Sequence, residues 1–522
     1  MKKIQIFTVI ILLFTLSSCK KYLEETVYSS AQSTNFYVNE QQGISALNGV
    51  YAGLRDTYFN YPNNDYTLFK MLEAPTGTVN TTPGFMTMNY GLQDLTDIEK
   101  AWKRMWVCIN RASMLIKLLK VENINPNSAK RILAEAKFAR ALCYFNLVRM
   151  WGQVPLNYGV ESLSDAYPKK VHENVVYNQI IEDLKVASTD LPTWNVYATY
   201  GSATSGNPLT DYQGYQPGRA TKGAAQALLA KVYLTIASSI ASNANLYENT
   251  FDKTEMYTKA RDLCDSVYSG SQGYGLTTNY FDVFKAESEN GKEDIFSIQY
   301  IEASDIKLGN GLAALTGLKG TGILSTEIGA VRSLPAFLGE FSDADTRKSA
   351  TFFLQYINKT NATITYPTGI KFLTFKKYWS DYQISANNIP MQPTTYVYHT
   401  SSADKVRFGD NIPVLRYSDV LLMYAETLYA LGDLTNASER VADVRERAGL
   451  GRTIPTGNLM DLIIAERRRE LCFEMQLWFD YQRLNIRQKY RLDLIDNKYK
   501  YFPIPDNDLT MNAGMQPQNP GW

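Results

Sequence analysis

The run YSDVLLMYAETLYALGDLTNASERVADVRERAGL, Tyr417 to Leu450, decides the fold class. From Ser418, a residue able to cap a helix, the apolar positions Val420, Leu421, Tyr424, Leu428 and Leu431 recur at the spacing of one helical face. Gly432 supplies a left-handed stop and Asp433 a cap for a second helix. That helix turns Ala437, Val441, Val444 and Ala448 inward before Gly449 ends it. So short a link forces the two helices antiparallel. The unit is a helical hairpin.

Working outward, the hairpin recurs. Asn125-Pro126 offers a cap and a first-turn proline for a helix running to Gly152, with a partner over about Asn174 to Ser188. Another starts near Ala220 and has its partner from Thr254 to Tyr268. Ile98 to Leu119 and Leu459 to about Phe473 read as two further helices. Small residues followed by large aromatics at similar offsets resemble tetratricopeptide repeats. The expected fold is mainly α: about four tetratricopeptide-like helix pairs forming a curved scaffold, from about 40–55, 97–270 and 415–490. A large loop-rich portion with short strands, about 56–96, 191–218 and 270–413, completes it. Loops of that length inside a compact chain are usually functional or carry strands of their own. No clean linker interrupts the chain, so 19–522 is read as a single body.

Charge removes one class of function. Lys plus Arg number 53 against 52 Asp plus Glu, a net +1, so no bulk electrostatic footprint for nucleic acid exists. Two histidines leave little room for His-based catalysis or multi-His metal sites. Tyrosine is in surplus, 36 against 22 Phe and 7 Trp. A flat apolar ring with a polar tip suits half-wet binding surfaces, although packing between helices is the ordinary role of any one ring.

The first nineteen residues read as an address. Lys2 and Lys3 precede an apolar stretch of about 13 residues, Ile4 to Leu16, broken only by Gln5, Thr8 and Thr15. A bilayer needs roughly 20 in helix, so this is a secretory segment, residues 1–18. Leu16-Ser17-Ser18-Cys19 resembles a bacterial lipoprotein box, with Cys19 carrying the lipid, palmitate among its acyl chains. Several chains on one cysteine hold a protein at a membrane without spanning it. The other cysteines, Cys108, Cys143, Cys264 and Cys472, lie in apolar helical contexts and are expected as buried free thiols.

Catalytic signatures are thin. No phosphate loop, dinucleotide fingerprint, HExxH, EF-hand loop or GxSxG elbow is present. His172 precedes a helix and His399 lies in a Tyr/Thr-rich stretch. A glycosidase needs only two carboxylates, so a glycoside hydrolase stays open as a minor alternative. Glu466-Arg467-Arg468-Arg469-Glu470 reads as an ion-paired helix face, the glutamates reaching the arginines one turn away. No metal site or cofactor is expected.

Several motifs together resemble the SusD/RagB family over nearly the whole chain. They are Leu415-Arg416-Tyr417-Ser418-Asp419 with its continuation to Glu426, Ile464 to Glu474, Trp478 to Arg483, Phe502-Pro503-Ile504-Pro505 and Gln518 to Trp522. Upstream, Arg140-Ala141, Trp151 to Leu156 and Gly218-Arg219-Ala220-Thr221 also match. Met475 departs from the family's usual Gly and predicts a local packing change. The resemblance implies a lipid-anchored, cell-surface lipoprotein of the outer membrane, partnered with a SusC-like TonB-dependent transporter. Such proteins capture oligosaccharides, or in some members oligopeptides, and pass them on without catalysis. Aromatic rings stack on sugar C–H faces while amides and Lys bind hydroxyls. The ligand-binding residues expected on that basis are Asn80, Phe85, Tyr90, Tyr274, Tyr300, Lys307 and Asn310.

Overall fold

The computed structural model describes residues 36–59, 66–159, 167–195, 218–246, 248–301, 309–317, 329–357, 362–368, 373–378, 383–384, 390–391 and 409–522. Eight long helices pair off in chain order. α1 (Glu40–Tyr58) pairs with α2 (Leu92–Leu118), α3 (Pro126–Trp151) with α4 (Glu173–Asp190), α5 (Lys222–Ala241) with α6 (Lys253–Tyr268), and α7 (Tyr417–Ala430) with α8 (Leu434–Arg447). Each pair packs on the next through α2 on α3, α4 on α5 and α6 on α7, and α9 (Leu459–Glu470) closes over the last. The expected four-pair α scaffold is the fold.

Local chemistry sets the helix ends. Asn125 Oδ1 accepts from the N–H groups of Asn127 and Ser128, and Asp433 Oδ1 from Asn436. Gly432 and Gly449 lie at φ +89° and +78°, the left-handed stops read from the sequence. Two boundaries moved. α7 begins at Tyr417, and Ser418 is not its cap but a fully buried acceptor for Arg416 at 2.7 Å. α2 begins six residues before Ile98 because the Asp94 carboxylate takes the Gly91 N–H at 3.1 Å. The stretch 56–96 also contains short helices, Thr67–Glu73 and Pro83–Thr87.

α5 is long and apolar enough by composition to cross a membrane, yet nearly all of it is buried between α4 and α6. The four internal cysteines are buried free thiols.

The loop-rich portion is joined to the scaffold by charge. β1 (Asp294–Ile298) runs antiparallel to β2 (Ile412–Arg416), and a small four-stranded sheet spans parts of 355–391. Arg416, ending β2, holds Glu293 at 2.8 Å, Glu470 at 3.1 Å and Glu474 at 2.7 Å. Arg347 holds Asp345 at 2.8 Å, Glu466 at 2.5 Å and Glu470 at 3.2 Å. Arg447 joins through Glu470 and through Glu293 at 2.9 Å. All of these glutamates are at most 3% exposed. Burial opposes ionisation of Glu470, but Arg447, Arg416 and Arg347 together hold its carboxyl well below the usual range.

The motif around Glu466 is therefore ion-paired, as its sequence suggests, but mostly to distant partners: Arg467 reaches Asp419 and Asp480, and Arg468 reaches Glu340. Only Glu466–Arg469, at 2.7 Å, is a pair within the turn.

Candidate functional site

A groove of about 250 Å³ opens where α1 meets β1 and the start of α5. Its floor includes Leu54, Phe296 and Ile298, and its rim carries Asn48, Tyr51, Arg55, Arg219 and Gln299. Helical spacing brings Asn48, Tyr51 and Arg55 to one side of α1, three and four residues apart. Gly218 forms the lip at φ +80°, so close to Gln299 that a Cβ there would fall 2.1 Å from its Cδ. Only glycine fits. In the chain, residues 196–217 lead directly into Gly218, and 302–308 follow Ile301, two residues after Gln299.

Hydrogen bonds fix the rim. The Tyr51 hydroxyl donates to Glu135 Oε2 at 2.8 Å and accepts the Ala220 N–H at 3.0 Å. Burial, with the Glu135 carboxylate next, pushes its phenol well above the ordinary value, leaving a neutral ring. The Arg219 guanidinium lies 5.3 Å from that ring, pairs with Glu135 at 3.0 Å and donates to Asn48 Oδ1 at 2.6 Å. Gln299 exchanges two hydrogen bonds with the Asn290 amide, at 2.9 and 3.0 Å, and accepts from Asn411 at 3.0 Å. The arrangement offers pre-set amides, a guanidinium and an aromatic edge, suited to holding a polar, uncharged molecule. Among the described residues no three His, Cys, Asp or Glu side chains are arranged to hold a metal ion.

The expected contacts fall into three groups. Tyr300 and Tyr274 are buried beside the groove: Tyr300 donates to the Arg55 carbonyl at 3.1 Å, and the Tyr274 hydroxyl meets Thr221 Oγ1 at 2.6 Å. Asn310 is fully buried and donates to the Asp410 carbonyl at 2.6 Å. Phe85 and Tyr90 belong to a separate cluster, where the buried Phe85 ring lies 5.4 Å from Tyr90 and Tyr90 stacks on Trp522 at 5.4 Å. Asn80 is exposed on a two-residue strand paired with Arg332–Ser333. Lys307, Cys19 and His399 lie outside the described residues, while His172 caps α4 by accepting the Asn174 N–H at 3.2 Å.

Sequence reasoning missed Asn48, Tyr51 and Arg55 because they sit inside a helix taken as scaffold. Their polar i, i+3, i+7 stripe was the available signal. Arg219 was in view only as part of a matching motif.

Residues 239–496 match the model described as SusD family, and residues 21–234 match one described as "Starch-binding associating with outer membrane". The chain belongs to the SusD/RagB family. Across its full length it is 27% identical to SusD-like protein P2 of Formosa agariphila, covering 100% of both chains. It is 25% identical to a SusD-like protein of Bacteroides ovatus, over 92% of this chain and 81% of that one. The solved fold of a laminarin-binding SusD-like protein superposes with a TM-score of 0.70 at 22% identity, over 93% and 100% of the two chains. A crystal structure with xylogluco-oligosaccharide gives 0.67 at 22%, over 90% and 97%.

Proposed function

We propose that this chain captures glycans at the outer-membrane surface and delivers them to a SusC-like TonB-dependent transporter without chemistry. In this reading residues 1–18 are removed, Cys19 is acylated, and the helix pairs carry ligand-facing loops over the transporter. The observation that carries it is the groove rimmed by Asn48, Tyr51, Arg55, Arg219 and Gln299, whose ring, amides and neutralised charge match the C–H faces and hydroxyls of sugars. The laminarin-binding fold neighbour supports the same ligand class. Asn80 and Lys307 remain proposed contacts, and Phe85, Tyr90, Tyr274, Tyr300 and Asn310 support the segments that carry contacts.

Affinity electrophoresis of the full chain against laminarin, xyloglucan and starch tests this. Retardation by at least one, with no new reducing ends after long incubation, is the expected result. No retardation, with an oligopeptide mixture retained instead, overturns it.

A further inference from the structure

A second groove lies between α2 and the C-terminal segment, and it shares no lining residue with the first. Its volume is about 820 Å³, inside the roughly 300–1,000 Å³ typical of small-molecule sites. Apolar surface is left in the open around it: Tyr167 is 53% exposed, Val107 44% and Met511 72%. Trp106 forms part of the wall, held edge-on to Trp102 at 5.5 Å and to Tyr144 at 5.9 Å. The C-terminal segment that forms one wall is tied at both ends to α3. Trp151 Nε1 donates to the Pro503 carbonyl at 2.9 Å, Phe502 N to the Met150 carbonyl at 2.8 Å, and Asn519 Nδ2 to the Trp151 carbonyl at 3.0 Å.

The polar lining selects the ligand class. Four amides line it: Asn507 Nδ2 donates to Glu99 at 2.7 Å, Asn512 is engaged by the Pro168 carbonyl and the Gly514 N–H, and Asn157 Oδ1 accepts the Gly159 N–H at 2.7 Å. Among the described residues Asn110, the Asn157 Nδ2 and the Asn507 Oδ1 stay open to sugar hydroxyls, which both donate and accept. The two charges present are already engaged. Lys103 pairs with Glu99 at 2.5 Å, and the Asp508 carboxyl takes a hydrogen bond from the Trp102 side chain. Lys103 and Asp508 are of opposite sign and leave the lining with no net charge, which favours a neutral ligand over a charged peptide or an anionic polymer. Rings for C–H faces and amides for hydroxyls describe an uncharged carbohydrate.

We infer, given glycan capture as the function, that this groove is a second glycan subsite, binding neutral sugar units independently of the Tyr51–Arg219 groove. Two subsites on one chain raise the affinity for a polymer through effective concentration, with no new contact at either.

The test uses the full chain and whichever of laminarin, xyloglucan or starch retards the wild type, together with oligosaccharides cut from it. The double variant Tyr167→Ala/Asn110→Ala removes two exposed side chains and should leave the circular dichroism spectrum unchanged. Calorimetry is expected to show the oligosaccharide stoichiometry falling from two to one, and polymer affinity dropping roughly ten-fold. Asn48→Ala should weaken the other site and leave this one. Wild-type stoichiometry and affinity in the double variant overturn the subsite while leaving glycan capture standing. Unchanged glycan binding with lost co-purification of the transporter overturns it in favour of a protein-docking face. If no polysaccharide binds even the wild type, both readings fall.

Discussion

The backbone N–H of Met475 donates to Glu73 Oε1 at 2.5 Å, across 402 positions of sequence. Both residues are buried, at 3% and 0% exposure, and Met475 holds the left-handed conformation at φ +59°. Met475 is the position at which the resemblance leads one to expect Gly, and here a side chain sits in the core on a backbone that disfavours it.

Met475→Ala and Met475→Gly therefore separate packing from backbone strain. Both lose the buried side chain, at a cost of about 2–3 kcal/mol. Only Gly also relieves the positive φ, recovering about 1 kcal/mol. Urea denaturation is expected to rank wild type above Gly and Gly above Ala; Ala equal to or above Gly would refute the strain.

Glu73 gives a pH prediction. Burial pushes its carboxyl up to about 8 from an ordinary 4.5, against the Met475 N–H that holds it down. The folded protein then binds more protons at this site than the unfolded chain between those values. Stability falls as pH rises through that window, by up to about 1.4 kcal/mol per unit for one fully shifted group. Glu73→Gln keeps an acceptor for Met475 and removes the titration. Its melting temperature should match wild type near pH 5 and exceed it near pH 8.5, and parallel curves would show that Glu73 stays charged.

The joint between the helices and the loop-rich portion is set by Glu470. Removing it takes the one carboxylate that Arg416, Arg447 and Arg347 share and leaves the buried network a negative charge short. Each arginine keeps a further acidic partner, so Glu470→Ala should cost about 3 kcal/mol. Raised salt should not compensate, because buried pairs are poorly screened. A loss below 1 kcal/mol in chemical denaturation would place this network among pairs of little weight.

Gly218→Ala tests the first groove. The new Cβ meets Gln299 and the φ of +80° is strained, which predicts a stability loss of about 1–2 kcal/mol. With the lip displaced, affinity for the retained polysaccharide should drop several-fold more than thermal stability explains, as calorimetry below the melting range would show. Unaltered binding would move the ligand away from this rim.

Much of this architecture is legible from local punctuation. Asn125, Gly432, Asp433 and Gly449 each act within one turn of themselves, so the helix pairs can be read without the fold. Ser418 misleads because a distant requirement wins: Arg416, engaged with Glu470 and Glu474, recruits the hydroxyl that would otherwise cap. The same holds for Glu466, whose partner Arg347 is 119 positions away. Tyr300 reads as a ligand contact because it lies in a loop region where the resemblance places such contacts; its hydroxyl is held by a carbonyl 245 positions upstream. Long-range pairing carries no periodic signal. For that reason the scaffold was visible and the orientation of individual loop side chains was not.

The clasp of the last twenty-odd residues on α3 has a bearing on how the molecule is made and handled. Trp151 waits for Pro503, and Trp522 donates its indole N–H to the Tyr501 carbonyl while lying against Tyr90. The seam along α3 thus closes only once residues beyond 500 are delivered, so a chain shortened before Phe502 leaves the Trp151 indole without the carbonyl it donates to. An affinity tag fused directly after Trp522 would press on the same seam.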